Sequence, residues 1–213
     1  MLTIRNETQA DRRIVEDITR RAFYNIYAPG CVEHYLVHTM RDPPDFIPEL
    51  GLVAELDGQV IGNVMYTRAS LTDEAGAVKE ILTFGPVAIA PEHQRKGWGR
   101  RLLEHSLRRA AELGWEAVVI FDSPVNYVGL GFQSCKRFNV RLEDGWFPSA
   151  MLVKELREGA LDGRGWVYQD SPVMSIDEEE ARRYDGTLEP MAREYRPSQE
   201  EFYIMSHSTV GEA

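Results

Sequence analysis

Residues 85–101 read GPVAIAPEHQRKGWGRR and combine a strand, a loop that contains glycine and the start of a helix. The apolar run at 87–90 stops at Pro91, a polar loop follows at 92–96, and a helical pattern begins after Gly97. Backbone N–H groups at a helix start lack partners within the helix, and the helix dipole favours negative charge there. Glycines let a ligand approach the backbone closely. This stretch therefore predicts a binding site for a phosphorylated ligand.

Pro86 lies inside an otherwise good strand sequence. Proline cannot donate to a strand ladder, and Gly85 before it is a poor strand residue, so we expect a bulge or a splayed neighbouring strand here. A splay would free the backbone groups of Val87, Ala88 and Ile89 to bind an extended ligand that carries amides. A pantetheine arm joined to a diphosphate has this polarity, so coenzyme A fits both features. Four residues can supply cationic contacts: Arg95, Lys96, Arg100 and Arg101.

The remaining periodicities predict an α/β (α+β) fold with one mixed sheet and flanking helices. A first strand is expected at 2–5, and helices are expected from Thr8 to Pro29-Gly30 and over 32–40. The first helix should bury a stripe formed by Ile14, Ile18, Ala22 and Ile26. Three strands should form an antiparallel meander, at 52–56, 60–70 and 78–90. Gly62 inside the second of them predicts either a bulge or a close backbone approach. A β-α-β unit should then follow, with its helix at 97–113 and its second strand at 117–121.

The helix of this unit should have one buried face and should end before Gly114, which is typical of the residue after a helix. The predicted buried face consists of Leu102, Leu103, Ser106, Leu107, Ala110 and Leu113.

The end of the chain changes character. A short helical segment at about 124–131, a strand region at 132–140 and a strand at 150–156 complete a main domain of residues 1–156. Residues 157–205 lack the apolar periodicity of an independent core, so we expect a packed C-terminal extension. Capping-box patterns at Ser175 and Ser198 predict a short helix after each. The tail, residues 206–213, is expected to be disordered.

Composition excludes several classes of function. The formal net charge of the 213 residues is −10, which disfavours non-specific binding to nucleic acid. Cys31 and Cys135 show no spacing typical of a metal site, so no metal is expected. The N-terminus is polar and charged, and no run is long enough to cross a membrane. We therefore expect a cytoplasmic protein with no membrane partner.

Two motifs in this order and spacing resemble the GNAT superfamily of acetyl-CoA-dependent N-acetyltransferases. Residues 94–99, QRKGWG, match the family's phosphate signature Q/R-x-x-G-x-G/A, and residues 82–91 look like the strand that precedes it. Residues 126–132, NYVGLGF, look like its second block, in which a tyrosine lies five residues before the phenylalanine of a Gly-Phe pair. The resemblance covers about residues 1–156, and it implies a GNAT-like fold with splayed central strands.

The resemblance also implies a reaction and a set of site residues. Acetyl-CoA, the cosubstrate, would give its acetyl group to a primary amine of a small molecule or a peptide, by direct attack in a ternary complex. Tyr127 would lie near the sulfur and act as general acid towards the leaving thiolate. The residues implied to bind the cosubstrate are Val87, Ala88, Ile89, Gln94, Arg95, Lys96, Gly97, Trp98, Gly99 and Arg100.

The general base is not implied by the resemblance. Thr83 occupies the position where some members carry a glutamate, and Glu80 should point to the opposite face of a regular strand. A water chain, Glu33 or His34 could serve instead. The usual asparagine upstream of the tyrosine is replaced by the region that begins at Asp122.

Two other residues attract attention for their chemistry. His93 is expected to face solvent beside the phosphates, and nothing in the sequence pairs Cys135 with a base for covalent catalysis.

Other functions stay open on the sequence alone. A non-catalytic module that binds or senses acyl-CoA would need the same motifs without a base. A nucleotide-dependent oxidoreductase is disfavoured because Leu102 stands where a third glycine would be, and because an antiparallel meander precedes the loop. The acceptor amine is not specified by any motif, and the resemblance leaves a homodimer open.

Overall fold

The computed structural model describes residues 1–211, which form a mixed sheet with helices packed against it. This confirms the predicted α/β class. The strands are β1 (Leu2–Asn6), β2 (Leu52–Leu56), β3 (Gln59–Asp73), β4 (Val78–Ile89), β5 (Ala117–Phe121), β6 (Gln133–Ser134), β7 (Val140–Arg141), β8 (Met151–Glu155) and β9 (Trp166–Gln169). The helices are α1 (Arg12–Phe23), α2 (Glu33–Thr39), α3 (Trp98–Glu112), α4 (Pro124–Tyr127), α5 (Glu178–Asp185) and α6 (Pro197–Ser206).

The sheet follows the predicted order of a meander and then a β-α-β unit. Strands β1 to β4 are antiparallel neighbours, β5 lies parallel to β4, and β8 lies antiparallel to β5. The connection between β4 and β5 contains α3. Parallel neighbours need such a crossover, because the chain has to return to the same end of the sheet.

Strands β4 and β5 separate at the predicted position. They are paired through Leu82 and Val118, and the pairing does not continue towards Pro86. On the other side of β4, the register to β3 shifts by one residue between the pairs Val64–Val87 and Tyr66–Phe84, which is a bulge at the cis Gly85–Pro86 bond. The proline interrupts the ladder as expected, so the end of β4 has β3 on one side and an open cleft on the other.

Helix α3 packs on one face of this sheet with the predicted residues. Leu102, Leu103, Leu107 and Ala110 are buried, and they pack with side chains of β2 to β5. The predicted buried face ends one turn too late, because Leu113 is exposed at the helix end. Gly114 follows in the left-handed conformation, as predicted for a residue after a helix.

Helix α1 is shorter than the sequence predicts. It ends at Phe23 because Asn25 adopts a left-handed φ of 62°. The Asn25 side chain stabilises this break: its oxygen accepts from the Gly30 N–H, and its nitrogen donates to the Ala192 carbonyl. The predicted apolar stripe is therefore wrong at both ends, since Ile14 is exposed and Ile26 lies beyond the helix.

Gly62 in β3 marks the close backbone approach that was one of its two predicted roles. A Cβ atom at this position would lie 2.6 Å from the Ala88 carbonyl oxygen and 2.4 Å from Ile89 Cδ1. Both contacts are much shorter than carbon atoms tolerate, so only glycine lets β3 lie this close to the end of β4.

The C-terminal extension adds a strand to the sheet and contacts α1. Its boundary at residue 156 stays a prediction. Strand β9, which the sequence did not predict, pairs with the far end of β3. The cap of α5 is Asp177 rather than Ser175, because its carboxylate accepts from the N–H groups of Glu179 and Glu180. Helix α6 already starts at Pro197, so Ser198 lies inside its first turn.

The last described residues are hydrogen bonded, which differs from the expected disorder of 206–213. The Ser149 N–H donates to the Ser208 carbonyl, and the Val210 N–H donates to the Phe147 carbonyl. The expectation also covered Glu212 and Ala213, which lie outside the described residues.

A buried charged cluster anchors the extension to the first two helices. Arg20 of α1 donates to Asp185 of α5 at 2.8 Å, and both side chains are buried. His34 of α2 is fully buried beside them, with its Nε2 atom 3.4 Å from the Asp185 carboxylate and its Nδ1 atom 3.2 Å from the Cys31 sulfur. Burial lowers the pKa of His34 to about 4, although Asp185 acts in the opposite direction.

This shift predicts a pH dependence of stability. In the unfolded chain His34 is protonated below about pH 6.5, whereas in the folded chain it is protonated only below about pH 4. Between these pH values the unfolded state binds more protons, so lowering the pH favours unfolding. As the pH falls from about 6.5 to about 4, we expect the titration of His34 to lower the free energy of unfolding by up to about 3 kcal/mol. Urea unfolding of wild type and His34→Gln across this range measures it. Other titrating groups are common to both proteins, so parallel pH curves would contradict the prediction.

Candidate active site

The cleft between β4 and β5 opens into a cavity of about 460 Å³. Its walls come from the end of β4, the loop before α3, the first turns of α3 and the segment around α4. It contains most of the residues predicted to bind a cosubstrate, namely Val87, Ile89, Gln94, Arg95, Gly97, Trp98, Gly99 and Arg100, and also His93 and Tyr127. Ala88 and Lys96 do not line it.

The register of β4 explains why Ala88 is excluded. The Ala90 N–H donates to the Ile61 carbonyl of β3 at 2.8 Å. Because hydrogen-bonding directions alternate along a strand, Ala88 also directs its backbone groups to β3, while Val87 and Ile89 direct theirs to the open cleft. The Ile89 carbonyl already accepts from Gln94 Nε2 at 2.9 Å. Two residues, rather than the three expected, therefore present backbone groups to a ligand.

The loop before α3 has the conformation of an anion-binding turn. Arg95 and Gly97 both adopt left-handed φ angles, of 59° and 82°. Gly97 caps α3 without a side chain, so the first N–H groups of this helix have no side-chain acceptor. Such a helix end attracts negatively charged groups.

The cations around this loop differ in their availability. Lys96 donates its ammonium to the Glu92 carbonyl at 2.8 Å, which turns it away from the cavity. Arg100 is exposed and bridges Glu104 and the Gly129 carbonyl. The Arg101 guanidinium lies 5.4 Å from the centre of the Trp98 ring, whose buried Nε1 atom has no partner within the described chain.

Tyr127 lies at the inner end of the cavity and is itself buried. Its hydroxyl donates to Asp122 Oδ2 at 3.0 Å. Burial first, and the Asp122 charge second, raise the pKa of Tyr127 well above its ordinary value. The hydroxyl therefore keeps its proton at neutral pH.

Asp122 is the residue of the site that sequence reasoning did not select. It directly follows β5, and its second oxygen accepts from the Ser123 N–H. Burial raises the pKa of its carboxyl group, although the surrounding hydrogen bonds oppose the shift. Tyr27 lies beside it, with a pKa raised by burial and by the Asp122 charge. The sequence did contain a signal for Asp122, because ligand-binding sites commonly form at the carboxyl ends of parallel strands.

A second cavity, of about 230 Å³, lies on the other side of Tyr127. Its walls come from α1, α2, the Gly85–Pro86 bulge and the C-terminal extension. The residues that line both cavities are Phe23, Tyr27, Val87, Asp122 and Tyr127. The Tyr127 hydroxyl and the Asp122 carboxylate thus stand where the two spaces meet.

The structure separates the candidate bases. Glu33 and Thr83 line the second cavity, whereas His34 is turned into the buried cluster with Asp185. Glu80 is exposed on β4 opposite Ser70. Cys135 is fully buried, lines neither cavity, and has a pKa raised to about 11 by burial. Among these candidates, Glu33 is therefore the one carboxylate that reaches the second cavity, where Asp122 and Asp170 also lie.

Comparison with known proteins identifies the class to which this fold and site belong. The family model described as "Acetyltransferase (GNAT) family" matches residues 18–129, which is more than half of the chain. The chain therefore belongs to the GNAT acetyltransferase family.

Individual relatives agree with this assignment. The uncharacterized N-acetyltransferase YhbS of Escherichia coli O157:H7 is 31% identical over 163 residues, covering 76% of this chain and 92% of that protein. The crystal structure of E. coli YhbS in complex with CoA superposes with a TM-score of 0.69 at 28% identity, covering 81% of this chain and 91% of that one. A GNAT acetyltransferase from Brucella melitensis in complex with acetyl-CoA shares the fold, with a TM-score of 0.65, 21% identity and coverage of 82% and 99%.

Residues 1–211 show neither a membrane-spanning helix nor a cluster of metal-binding side chains. No helix in this part of the chain combines the length and apolarity needed to cross a membrane. No group of three or more histidine, cysteine or acidic side chains there lies close enough together to hold a metal ion.

Proposed function

We propose that this protein transfers an acetyl group from acetyl-CoA to a primary amine. The observation that carries the proposal is the meeting of two cavities at Tyr127 and Asp122, beside the opened end of β4. One cavity has the features that suit the donor and the other can hold an acceptor. Membership of the GNAT family supports the reaction, and the CoA complex of YhbS supports the cosubstrate.

The donor fits the larger cavity by its polarity. The diphosphate would bind the N–H groups at the start of α3, with Arg95 and Arg100 nearby. The pantetheine amides would bind the backbone groups that Val87 and Ile89 direct into the cleft. A free N–H at the bulged end of β4 would then face the thioester oxygen and stabilise the oxyanion of the tetrahedral intermediate.

The reaction requires the movement of two protons from nitrogen. The acceptor must lose one proton to become nucleophilic, and its nitrogen then forms a bond to the carbonyl carbon. The second proton leaves as the intermediate collapses and the carbon–sulfur bond breaks. One proton goes to the thiolate of CoA and the other to solvent, so the products are an amide, a thiol and a free proton.

We infer that Asp122 and Tyr127 carry the transferred proton together. Asp122 takes a proton from the amine, and Tyr127 gives its own proton to the thiolate. Asp122 then returns the proton to the phenolate through the 3.0 Å hydrogen bond. The raised pKa of Asp122 suits a proton acceptor, since a stronger base takes a proton from an ammonium more readily.

The basic test is release of thiol from acetyl-CoA in the presence of a panel of amines, with the acetylated product identified by mass spectrometry. Thiol release that depends on the amine supports the transferase. Tight binding of acetyl-CoA without transfer to any amine would instead support a non-catalytic acyl-CoA module.

The proposed relay predicts that its two members act as one unit. Tyr127→Phe and Asp122→Asn should each lower kcat by roughly 10²- to 10⁴-fold, which is typical for loss of a proton-transfer group. The double variant should lose little more than either single variant, because both changes break the same relay. Steady-state kinetics of the four proteins measures this.

A matched control is Tyr66→Phe. The Tyr66 hydroxyl is buried and hydrogen bonded to Ser106, but Tyr66 lines neither cavity, so this variant should keep wild-type kcat. Wild-type turnover in Tyr127→Phe would remove this residue from the mechanism. Losses that multiply in the double variant would show that the two residues act independently.

The phosphate-binding turn predicts a difference between two glycines of equal strain. Gly97→Ala and Gly114→Ala both place a side chain at a left-handed φ, at the start and just beyond the end of α3, where an added Cβ meets no other atom within 4 Å. Each should cost roughly 1 kcal/mol of stability. Only Gly97→Ala should weaken binding of CoA, by roughly tenfold, because it distorts the turn. Calorimetric titration checks this, and equal affinities in the two variants would contradict it.

A further inference from the structure

The second cavity has an apolar body of limited size. Phe23, Leu36, Phe84 and Phe202 are among its walls, together with Pro86 of the bulge. Its volume of about 230 Å³ is below the range of about 300–1,000 Å³ that is usual for pockets of drug-sized ligands. The space therefore suits a compact ligand with an apolar or aromatic body.

The C-terminal extension forms part of the wall of this cavity. Phe202 of α6 packs on Tyr27, with ring centres 4.4 Å apart, and Met174 reaches to within 3.5 Å of the position that a Cβ atom on Gly85 would occupy. Asp170 enters the cavity directly after β9, which is held in the sheet by β3. These side chains of the extension narrow the space beside the bulge, which favours a small ligand over a long polypeptide.

The charges in the cavity all have one sign. Its described lining contains three acidic side chains, Glu33, Asp122 and Asp170, and no lysine or arginine. None of the three forms an ion pair with the described residues. Burial raises the pKa of each carboxyl group. A cleft lined by charges of one sign concentrates ligands of the opposite sign, so the cavity favours a ligand that brings a positive charge.

Two of these carboxylates each have one oxygen without a hydrogen bond from the described chain. Asp170 Oδ1 accepts from the Tyr168 hydroxyl at 2.9 Å and from the Ser171 N–H at 2.8 Å, whereas nothing in residues 1–211 donates to Oδ2. Glu33 Oε2 accepts from the Val32 N–H at 3.0 Å, and Oε1 is likewise without a donor there. Both oxygens of Asp122, in contrast, are engaged. An ammonium has three donors and can satisfy both of the open oxygens.

We propose that the acceptor is a small primary amine with an apolar body and no carboxylate beside its nitrogen, bound in the second cavity with its ammonium held by Asp170 and Glu33. This inference rests on the proposed acetyl transfer. Amino acids are excluded by the same charges, because a carboxylate on the carbon next to the nitrogen would be held close to the three acidic side chains, and such like-charge contacts strongly disfavour a complex.

Three compounds that differ in one group test the inference. 2-Phenylethylamine has the amine and an aromatic body, phenylalanine adds a carboxylate, and phenylalanine amide adds a neutral group of similar size. We expect kcat/KM for the amine and the amide to exceed that for phenylalanine by at least about a hundredfold. Equal or better use of phenylalanine, or preference for a phenylalanyl tripeptide amide over 2-phenylethylamine, would overturn the inference and leave the acetyl transfer intact.

Variants of Asp170 test whether its charge makes the site prefer 2-phenylethylamine to phenylalanine. Asp170→Asn should raise KM for 2-phenylethylamine roughly tenfold or more, leave KM for acetyl-CoA unchanged, and reduce the discrimination against phenylalanine. Asp162→Asn is the matched control, since Asp162 is an exposed aspartate of the same extension that lines neither cavity. An unchanged KM and an unchanged discrimination in Asp170→Asn would remove Asp170 from the acceptor site.

Calorimetric binding of the same compounds in the presence of CoA separates failure of the acceptor site from failure of the reaction. Binding of 2-phenylethylamine in preference to phenylalanine, without acetylation of either, would support the acceptor pocket and contradict the proposed transferase. Binding of CoA with no preference among the compounds would overturn the acceptor pocket.

Discussion

The separation of β4 from β5 is the constraint on which the rest of the site depends. If β4 and β5 stayed paired beyond Leu82 and Val118, the backbone groups of β4 would be hydrogen bonded to β5, and no space would remain between the strands. Pro86 cannot donate to a ladder, and the bulge around it displaces the strand from its partner. The open edge then has to be satisfied by something other than the sheet, and both cavities lie along it.

The two sides of the opening differ in charge. On one side, arginines and the start of α3 surround the cavity, which suits phosphates. On the other side, the lining holds three carboxylates and no lysine or arginine among the described residues, which suits an amine. Tyr127 and Asp122 line both cavities. In the proposed reaction, an anionic donor and a cationic acceptor would thus approach this hydrogen-bonded pair from opposite sides.

Local chemistry allowed the opened strand and the turn before α3 to be predicted from sequence. Pro86 and Gly97 act on their own backbone, so their effects do not depend on distant partners. The confirmed features, which are the meander, the splay and the buried face of α3, all follow from residues close together in the chain. The end of α1 was missed because Asn25 is held by Ala192, a contact across most of the sequence.

Side-chain direction is what the sequence could not supply. Glu33 and His34 are neighbours on α2, yet a step of about 100° around the helix sends one to the second cavity and the other into the cluster with Asp185. The role of Ala88 likewise depended on the register between β3 and β4 rather than on its place in a motif. Asp122 looked like the loss of a family asparagine, and only its hydrogen bond to Tyr127 gives it a chemical meaning.

Part of the wall of the second cavity lies outside the family match. The family model ends at residue 129, whereas Asp170, Met174 and Phe202 come from the extension. These residues reach the site through the pairing of β9 with β3 and the packing of α6 on Tyr27, both of which join distant parts of the chain. In the proposed reaction, these three side chains would shape and charge the wall that the amine meets. The choice of amine would then depend on how the extension packs, and charge and volume at that wall have to be interpreted from the structure.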